Sequence, residues 1–302
     1  MRPRAEREFD EAMMRRALDL ARAREGLTRP NPPVGAVVVR SGRIVGEGAH
    51  PGAGKPHAEV FALRAAGRLA RGGTLYVTLE PCCTHGRTPP CTDAILAAGV
   101  RRVVVAVRDP NPRHAGRGLR LLRKAGVRVV EGVCREPASQ LIEPFAKWIT
   151  TQRPWLTLKL AMTLDGRIAD ALGHSKWITG KAARTVVHDL RRRADAVMVG
   201  AGTVLADDPS LLPRPPRGRR TWRVIVDASG RVPVTAKVFR DGAADHTLVA
   251  TTNRCPDARI ASWLAAGAQV AVLPGDRKGV DLAALLDHRG GLGLLHVLCE
   301  GG

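Results

Sequence analysis

Two α/β domains in tandem are predicted, and three features of the sequence carry that prediction. The chain has 302 residues, room for about two domains of ~100–200 residues each. Short valine-rich runs alternate with amphipathic stretches, the pattern of helices layered on a sheet. The alternation breaks at Thr150–Pro154 and restarts with a new strand. The first domain is therefore expected over 1–150 and the second over 151–302.

In the first half, Glu8–Glu25 places Met13, Ala17, Leu20 and Ala21 on one helical face. Pro30, Pro32 and Pro33 interrupt the chain before an apolar strand, Val34–Val39. Ser41-Gly42 supplies a turn, and Arg43–Glu47 returns as a second strand. A helix is expected from His57 to Leu69, a strand at Thr74–Leu79, a long loop at Glu80–Pro90 and a helix at Cys91–Ala98. Arg101–Val107, Gly118–Ala125, Val127–Glu131 and Pro137–Trp148 continue as strand, helix, strand and connecting helix.

In the second half, Trp155–Ala161 reads as a strand and Thr163–Lys176 as a polar loop, with Thr179 capping a helix that runs to Arg193. Strands are expected at Ala196–Val199, Trp222–Val226, Thr247–Thr251, Gln269–Val272 and Leu294–Leu298. Helices are expected at Pro256–Ala266 and Val280–Arg289, and the Pro/Arg-rich Leu212–Arg220 reads as an exposed loop.

Composition narrows the function. Hydrophobic residues make up 44% and charged residues 25% of the chain, which describes a folded protein. No apolar run approaches the ~18 residues of a membrane span. Met1–Asp10 lacks the apolar stretch of a secretory signal, so a cytoplasmic location is expected. The net charge of +20 divides as +12 in 1–150 and +8 in 151–302, without a basic tail. Such a surface suits anionic substrates, while 3% aromatic residues offer few platforms for stacking bases. A deaminase acting on RNA or DNA bases remains an alternative at this point.

Three of six cysteines, Cys82, Cys83 and Cys91, fall within ten residues, a metal-site spacing and not a disulfide framework. His57, Cys82 and Cys91 give one imidazole and two thiolates, a set that selects zinc. Glu59 stands two residues after His57, placed to move a proton beside the metal without ligating it. A closed structural site is the other reading, with Cys83, His85 or His50 as fourth ligand.

The segments TRPNPPVGA (Thr28–Ala36), HAE (His57–Glu59) and TLEPCCTHGRTPPC (Thr78–Cys91) resemble the riboflavin-biosynthesis deaminase–reductase family. The spacing of Cys82 and Cys91, and the runs Asp109-Pro110-Asn111-Pro112 and Gly116-Arg117-Gly118, fit the same resemblance. It implies a cytidine-deaminase-like three-layer first domain with zinc on His57, Cys82 and Cys91, Glu59 as proton shuttle, and Asn31 and His50 in the pyrimidine pocket.

The second half extends it through KLAMTLDGRIA (Lys159–Ala169), SKWITG (Ser175–Gly180) and VGAGTVLADDPSL (Val199–Leu211). The resemblance implies a dihydrofolate-reductase-like domain using NADPH. Ala161, Trp177, Thr203, Asp207, Ala228 and Gly302 would contact NADPH, and Ser175, Arg191, Leu211, Arg214 and Glu300 the substrate. Arg191 and Arg214 suit a phosphate because a guanidinium binds it bidentately. In the family the segment matching Cys299-Glu300-Gly301-Gly302 opens a phosphate loop and the chain continues, so the second domain is expected to be C-terminally truncated. The expected function is deamination of a diamino-phosphoribosylaminopyrimidine followed by NADPH reduction of its ribosyl group. The expected partner is a phosphorylated small molecule, with no nucleic acid or membrane, in a homo-oligomer. A deaminase with a non-functional reductase half is the alternative.

Overall fold

In the computed structural model, which describes residues 3–175, 177–216 and 218–301, the valine-rich runs become strands of two main sheets. The chain divides into units Met1–Thr151 and Gln152–Gly302. Gly302, expected to contact the cofactor, lies outside the described residues, as do Lys176 and Arg217.

The first unit runs α1 (Arg4–Arg22), β1 (Gly35–Arg40), β2 (Arg43–Ala49), α2 (Ala58–Ala66), β3 (Thr74–Leu79), α3 (Cys91–Ala97), β4 (Arg102–Val107), α4 (Arg117–Lys124), β5 (Arg128–Glu131) and α5 (Arg135–Thr151). The sheet order is β2-β1-β3-β4-β5. Strand β1 is antiparallel to β2 and β3, whereas β3, β4 and β5 are parallel. Ser41 and Gly42, both at positive φ, make the two-residue turn between β1 and β2.

Both faces of this sheet are covered, which explains strands that are apolar throughout. Ala36, Val38, Val77 and Val105 pack with Ala62, Ile95 and Leu122, on the face of α2, α3 and α4. Val37, Val39, Tyr76 and Val104 pack with Met14, Leu18, Ala138 and Leu141, on the face of α1 and α5. Helix α2 sits very close to β2, because a Cβ built on Gly48 would lie 2.3 Å from the Ala58 carbonyl oxygen. A buried polar knot fixes α1: Arg102 pairs with Asp10 at 2.6 Å, and the Tyr76 hydroxyl donates to the same carboxylate at 2.8 Å.

The second unit runs β6 (Trp155–Lys159), α6 (Lys181–Arg193), β7 (Ala196–Gly200), α7 (Ala201–Asp207), β8 (Trp222–Val226), α8 (Lys237–Arg240), β9 (Thr247–Thr251), α9 (Asp257–Ala265), β10 (Gln269–Val272), a short ladder β11 (Gly275–Asp276) with β12 (Gly279–Val280), α10 (Leu282–Gly291) and β13 (His296–Glu300). Its sheet order is β10-β9-β8-β7-β13-β6, parallel at every pairing. Val197, Val199, Ile225 and Val249 meet Val204, Phe239 and Trp263 on one face. Met198, Val224, Ala250 and Val297 meet Leu285 and Leu294 on the other.

Two local expectations are corrected, and one helix is added. Thr179 does not cap α6: the N-cap is Gly180, without a side-chain bond, and the Thr179 carbonyl accepts from Arg184 at 2.6 Å. Helix α10 starts beyond Val280, because Gly279-Val280 pairs with Gly275-Asp276 and Asp281 then caps Ala283 and Ala284. Val199–Leu211 holds a helix, α7, that its glycines obscure in the sequence.

Candidate functional site

Three segments meet at one end of the first sheet. His57 is the N-cap of α2, in an extended conformation, so its ring is presented ahead of the helix. Strand β3 ends at Leu79 and leads through Glu80-Pro81 to Cys82. Pro89-Pro90 delivers Cys91 as the first residue of α3, with Pro90 as its N-cap. The Cys91 N–H donates to the Cys82 sulfur at 3.3 Å, and the Thr92 N–H to the Cys82 carbonyl at 3.1 Å.

The His57 Nδ1 atom lies 3.2 Å from Cys91 Sγ and 3.5 Å from Cys82 Sγ. Zinc bonds of ~2.0 Å to nitrogen and ~2.3 Å to sulfur, at tetrahedral angles, put such donors ~3.5 Å apart, so the trio fits zinc. Among the described residues no other histidine, cysteine or carboxylate joins this group. His50 is committed elsewhere: Nδ1 faces the Pro56 carbonyl at 3.2 Å, leaving Nε2 to accept from Asn31 Nδ2 at 3.0 Å. The closed-site alternative, with a fourth ligand from Cys83, His85 or His50, is therefore not what the geometry displays. A four-coordinate ion held here keeps one position for a non-protein ligand.

Glu59 is 3% exposed, and its Oε2 has no hydrogen-bond partner among the described residues. Burial pushes its carboxyl up to about 7, with the negative Cys82 adding to the effect. Cys82 is drawn down to about 4 by the bond from the Cys91 thiol and by His57. The bond to Cys82, with burial, pushes the Cys91 thiol up. His57 is raised, chiefly by Cys82, and burial lowers His50.

His57, Glu59 and Cys82 open on a cavity of about 390 Å³ lined also by Asn31, His50, Lys55, Arg87, Asp109 and Asn111. Asn31, His50, His57, Glu59, Cys82 and Cys91 thus occupy one neighbourhood. Sequence reasoning gave no role to Lys55 and Arg87, the cations of its wall, nor to Thr84, whose hydroxyl is 3.5 Å from His114 Nδ1. The Asp109-Pro110-Asn111-Pro112 run was a signal for part of this wall, since Asx-Pro turns fix loop geometry.

In the second unit, the Arg191 guanidinium and the Glu300 carboxylate form two bonds of 2.7 Å. Leu212 and Arg214 approach through their backbones: Arg191 Nη1 reaches the Leu212 carbonyl at 3.5 Å, and the Arg214 N–H donates to His188 at 3.2 Å. Leu211 is buried at positive φ. Thr203 lies beside Gly301, where a built Cβ would be 2.7 Å from its hydroxyl. Asp207 ends α7, and Ala161 and Ser175 lie in the segment between β6 and α6. Trp177 is exposed, with Arg184 over its ring at 4.3 Å. The Ala228 carbonyl accepts from Thr252 at 2.8 Å.

Two family models match the chain: the cytidine and deoxycytidylate deaminase zinc-binding region over residues 7–107, and the RibD C-terminal domain over residues 154–302. The riboflavin biosynthesis protein RibD of Aquifex aeolicus is 50% identical over 297 residues, covering 98% of this chain and 82% of that protein. That of Bacillus amyloliquefaciens is 44% identical over 97% of this chain and 79% of its own length. A solved diaminohydroxyphosphoribosylaminopyrimidine deaminase/5-amino-6-(5-phosphoribosylamino)uracil reductase from Thermotoga maritima superposes with a TM-score of 0.86 at 42% identity, covering 98% of this chain and 82% of that one.

Proposed function

This chain belongs to the RibD family of riboflavin-biosynthesis proteins, and from that premise we propose that residues 1–150 carry the deaminase and residues 151–302 the reductase. The protein is a bifunctional enzyme of riboflavin biosynthesis, a zinc-dependent hydrolase and an NADPH-dependent oxidoreductase. In our reading it replaces the 2-amino group of a 2,5-diamino-6-(5-phosphoribosylamino)pyrimidinone with oxygen, releasing ammonia, and then reduces the ribosyl group to ribityl.

The observation that carries the deaminase is the buried Oε2 of Glu59, unpartnered among the described residues, beside the His57, Cys82 and Cys91 side chains. These three residues would hold zinc, which when bound makes water a nucleophile near neutral pH. Glu59 takes a proton at Oε2 and returns it to the departing amine nitrogen. His50, whose Nε2 is kept unprotonated, and Asn31, whose amide orients with it, bind and orient the pyrimidine. Burial around Glu59 excludes bulk water from the exchange.

In the second unit the bare backbone of Gly301, facing the Thr203 hydroxyl, suits a phosphate-bearing cofactor. Thr203, Ala161, Trp177, Asp207, Ala228 and Gly302 would hold NADPH, which supplies a hydride. Arg191, aligned by Glu300, anchors the substrate with Arg214, Ser175 and Leu211. We place the enzyme in the cytoplasm as a homo-oligomer that binds no nucleic acid. No helix among the described residues is long and apolar enough to cross a membrane.

Glu59→Gln tests the reading. Zinc should remain bound, ammonia release should stop, and NADPH oxidation on the deaminated intermediate should continue. Ammonia release at the wild-type rate by this variant would refute the assigned chemistry.

A further inference from the structure

We propose that Glu80 is a positioning residue of the deaminase: its carboxylate clamps the pocket wall at residues 109–116 to the cysteine segment, and substrate affinity depends on that clamp. The inference rests on the deaminase reading above.

Glu80 is 4% exposed, and its two oxygens accept four backbone N–H groups. Oε2 takes Asp109 at 3.2 Å and Gly116 at 2.8 Å, while Oε1 takes Gly118 at 3.0 Å and Leu119 at 3.4 Å. Gly116 is the N-cap of α4 and has no side chain with which to cap it. Glu80 does so from the end of β3, one residue past the strand, placing negative charge at the positive end of the helix. Close packing reinforces the bonds, because a Cβ on Gly118 would lie 2.2 Å from the Pro81 carbonyl oxygen.

One carboxylate therefore ties together two parts of the cavity. On one side is the strand end that leads to Cys82, two residues on. On the other is the loop whose Asp109, Asn111 and His114 line the same cavity as Glu59. Those three side chains are outside the group of gathered metal donors. Loosening the loop thus changes the walls that hold substrate while leaving the donors and Glu59 in place.

Glutamine has nearly the same shape but one acceptor oxygen, and its NH₂ group faces N–H donors. Glu80→Gln therefore releases one of the two pairs of loop bonds. Glu80→Asp keeps all acceptors on a shorter reach. The experiment compares both variants with the full-length, zinc-loaded protein, measuring amide hydrogen exchange over 109–119, zinc per chain, and kcat and KM for ammonia release. In Glu80→Gln, exchange at Asp109 and Gly116, or at Gly118 and Leu119, should quicken by at least ~10-fold, the usual loss for a charge-assisted bond. Zinc content should stay at the wild-type value. KM should rise about 10-fold while kcat stays within about 3-fold, the signature of lost substrate binding, and Glu80→Asp should recover part of the KM.

Unchanged exchange, loss of zinc, or a fall in kcat at wild-type KM would overturn the proposal. So would insolubility of both variants, which would mark Glu80 as a folding residue. Wild-type protein that releases no ammonia would sink the deaminase reading instead, and the exchange data would then judge the clamp alone.

Discussion

Substitution of Gly48 by alanine offers a severe test of how the deaminase centre is positioned. The new Cβ would lie 2.3 Å from the Ala58 carbonyl oxygen, 2.6 Å from the Ala62 nitrogen and 2.7 Å from the Phe61 Cβ. Two of these are helix backbone, so no side-chain rotation relieves them. Ordinary contact starts near ~3.5 Å, and the first turn of α2 must retreat by about 1 Å. That turn carries Glu59 and follows directly on His57. Overpacking of this kind costs about 1–3 kcal/mol of stability, and a 1 Å misplacement of reacting groups costs ~10²-fold in rate. The assay measures ammonia release and NADPH oxidation on one sample, the second unit serving as internal standard. Gly48→Ala should lose ~10²-fold in ammonia release with NADPH oxidation intact. Gly42→Ala, at a positive-φ turn with nothing within 4 Å of the new Cβ, should leave both rates near wild type. A wild-type deaminase rate in Gly48→Ala, or a parallel loss of both activities, would refute the reasoning.

Other expectations can be checked alongside. Asp10→Ala leaves Arg102, whose side chain is 12% exposed, without its main partner, and should destabilise the first unit by about 3–5 kcal/mol, read from its urea midpoint. Treatment with a chelator should abolish ammonia release and spare NADPH oxidation, with zinc restoring the former; parallel loss of both would contradict the assignment. Burial holds His296 down to about 4, against ~6.5 for a free imidazole, so the unfolded chain binds the extra proton. Its contribution to stability is complete above about pH 6.5 and is lost as pH falls toward 4, by at most ~3 kcal/mol. Acid unfolding curves of His296→Gln should lack that part of the slope.

The strands were legible because sheets covered on both faces demand continuous apolar runs, as in Val34–Val39 and Val103–Val107. That His57, Cys82 and Cys91 gather at one point was legible because histidine and cysteine at such spacing have few other uses. Glu80 was not. Its partners are backbone N–H groups between 29 and 39 residues away, and a backbone N–H leaves no mark on the residue type that bears it. The close seat of α2 was hidden for a related reason: Gly46 and Gly48 in a strand could equally be a bulge. The cap of α6 failed because a threonine one residue too early looks, in sequence, like the cap itself.

The position of β13 also has a consequence for how the protein is made. The first unit has every described strand in hand by Glu131 and its last helix by Thr151, so its sheet can form while the remainder is still being translated. The second cannot follow suit, because its first strand, β6, pairs with β13, which lies between β6 and β7. At ~5–20 residues per second, β6 leaves the ribosome roughly 7–28 s before the strand it needs. Through that interval its Leu156 and Leu158 have no native neighbour strand. Of the two halves, the second is the one whose yield should respond most to chaperone supply and to the speed of translation.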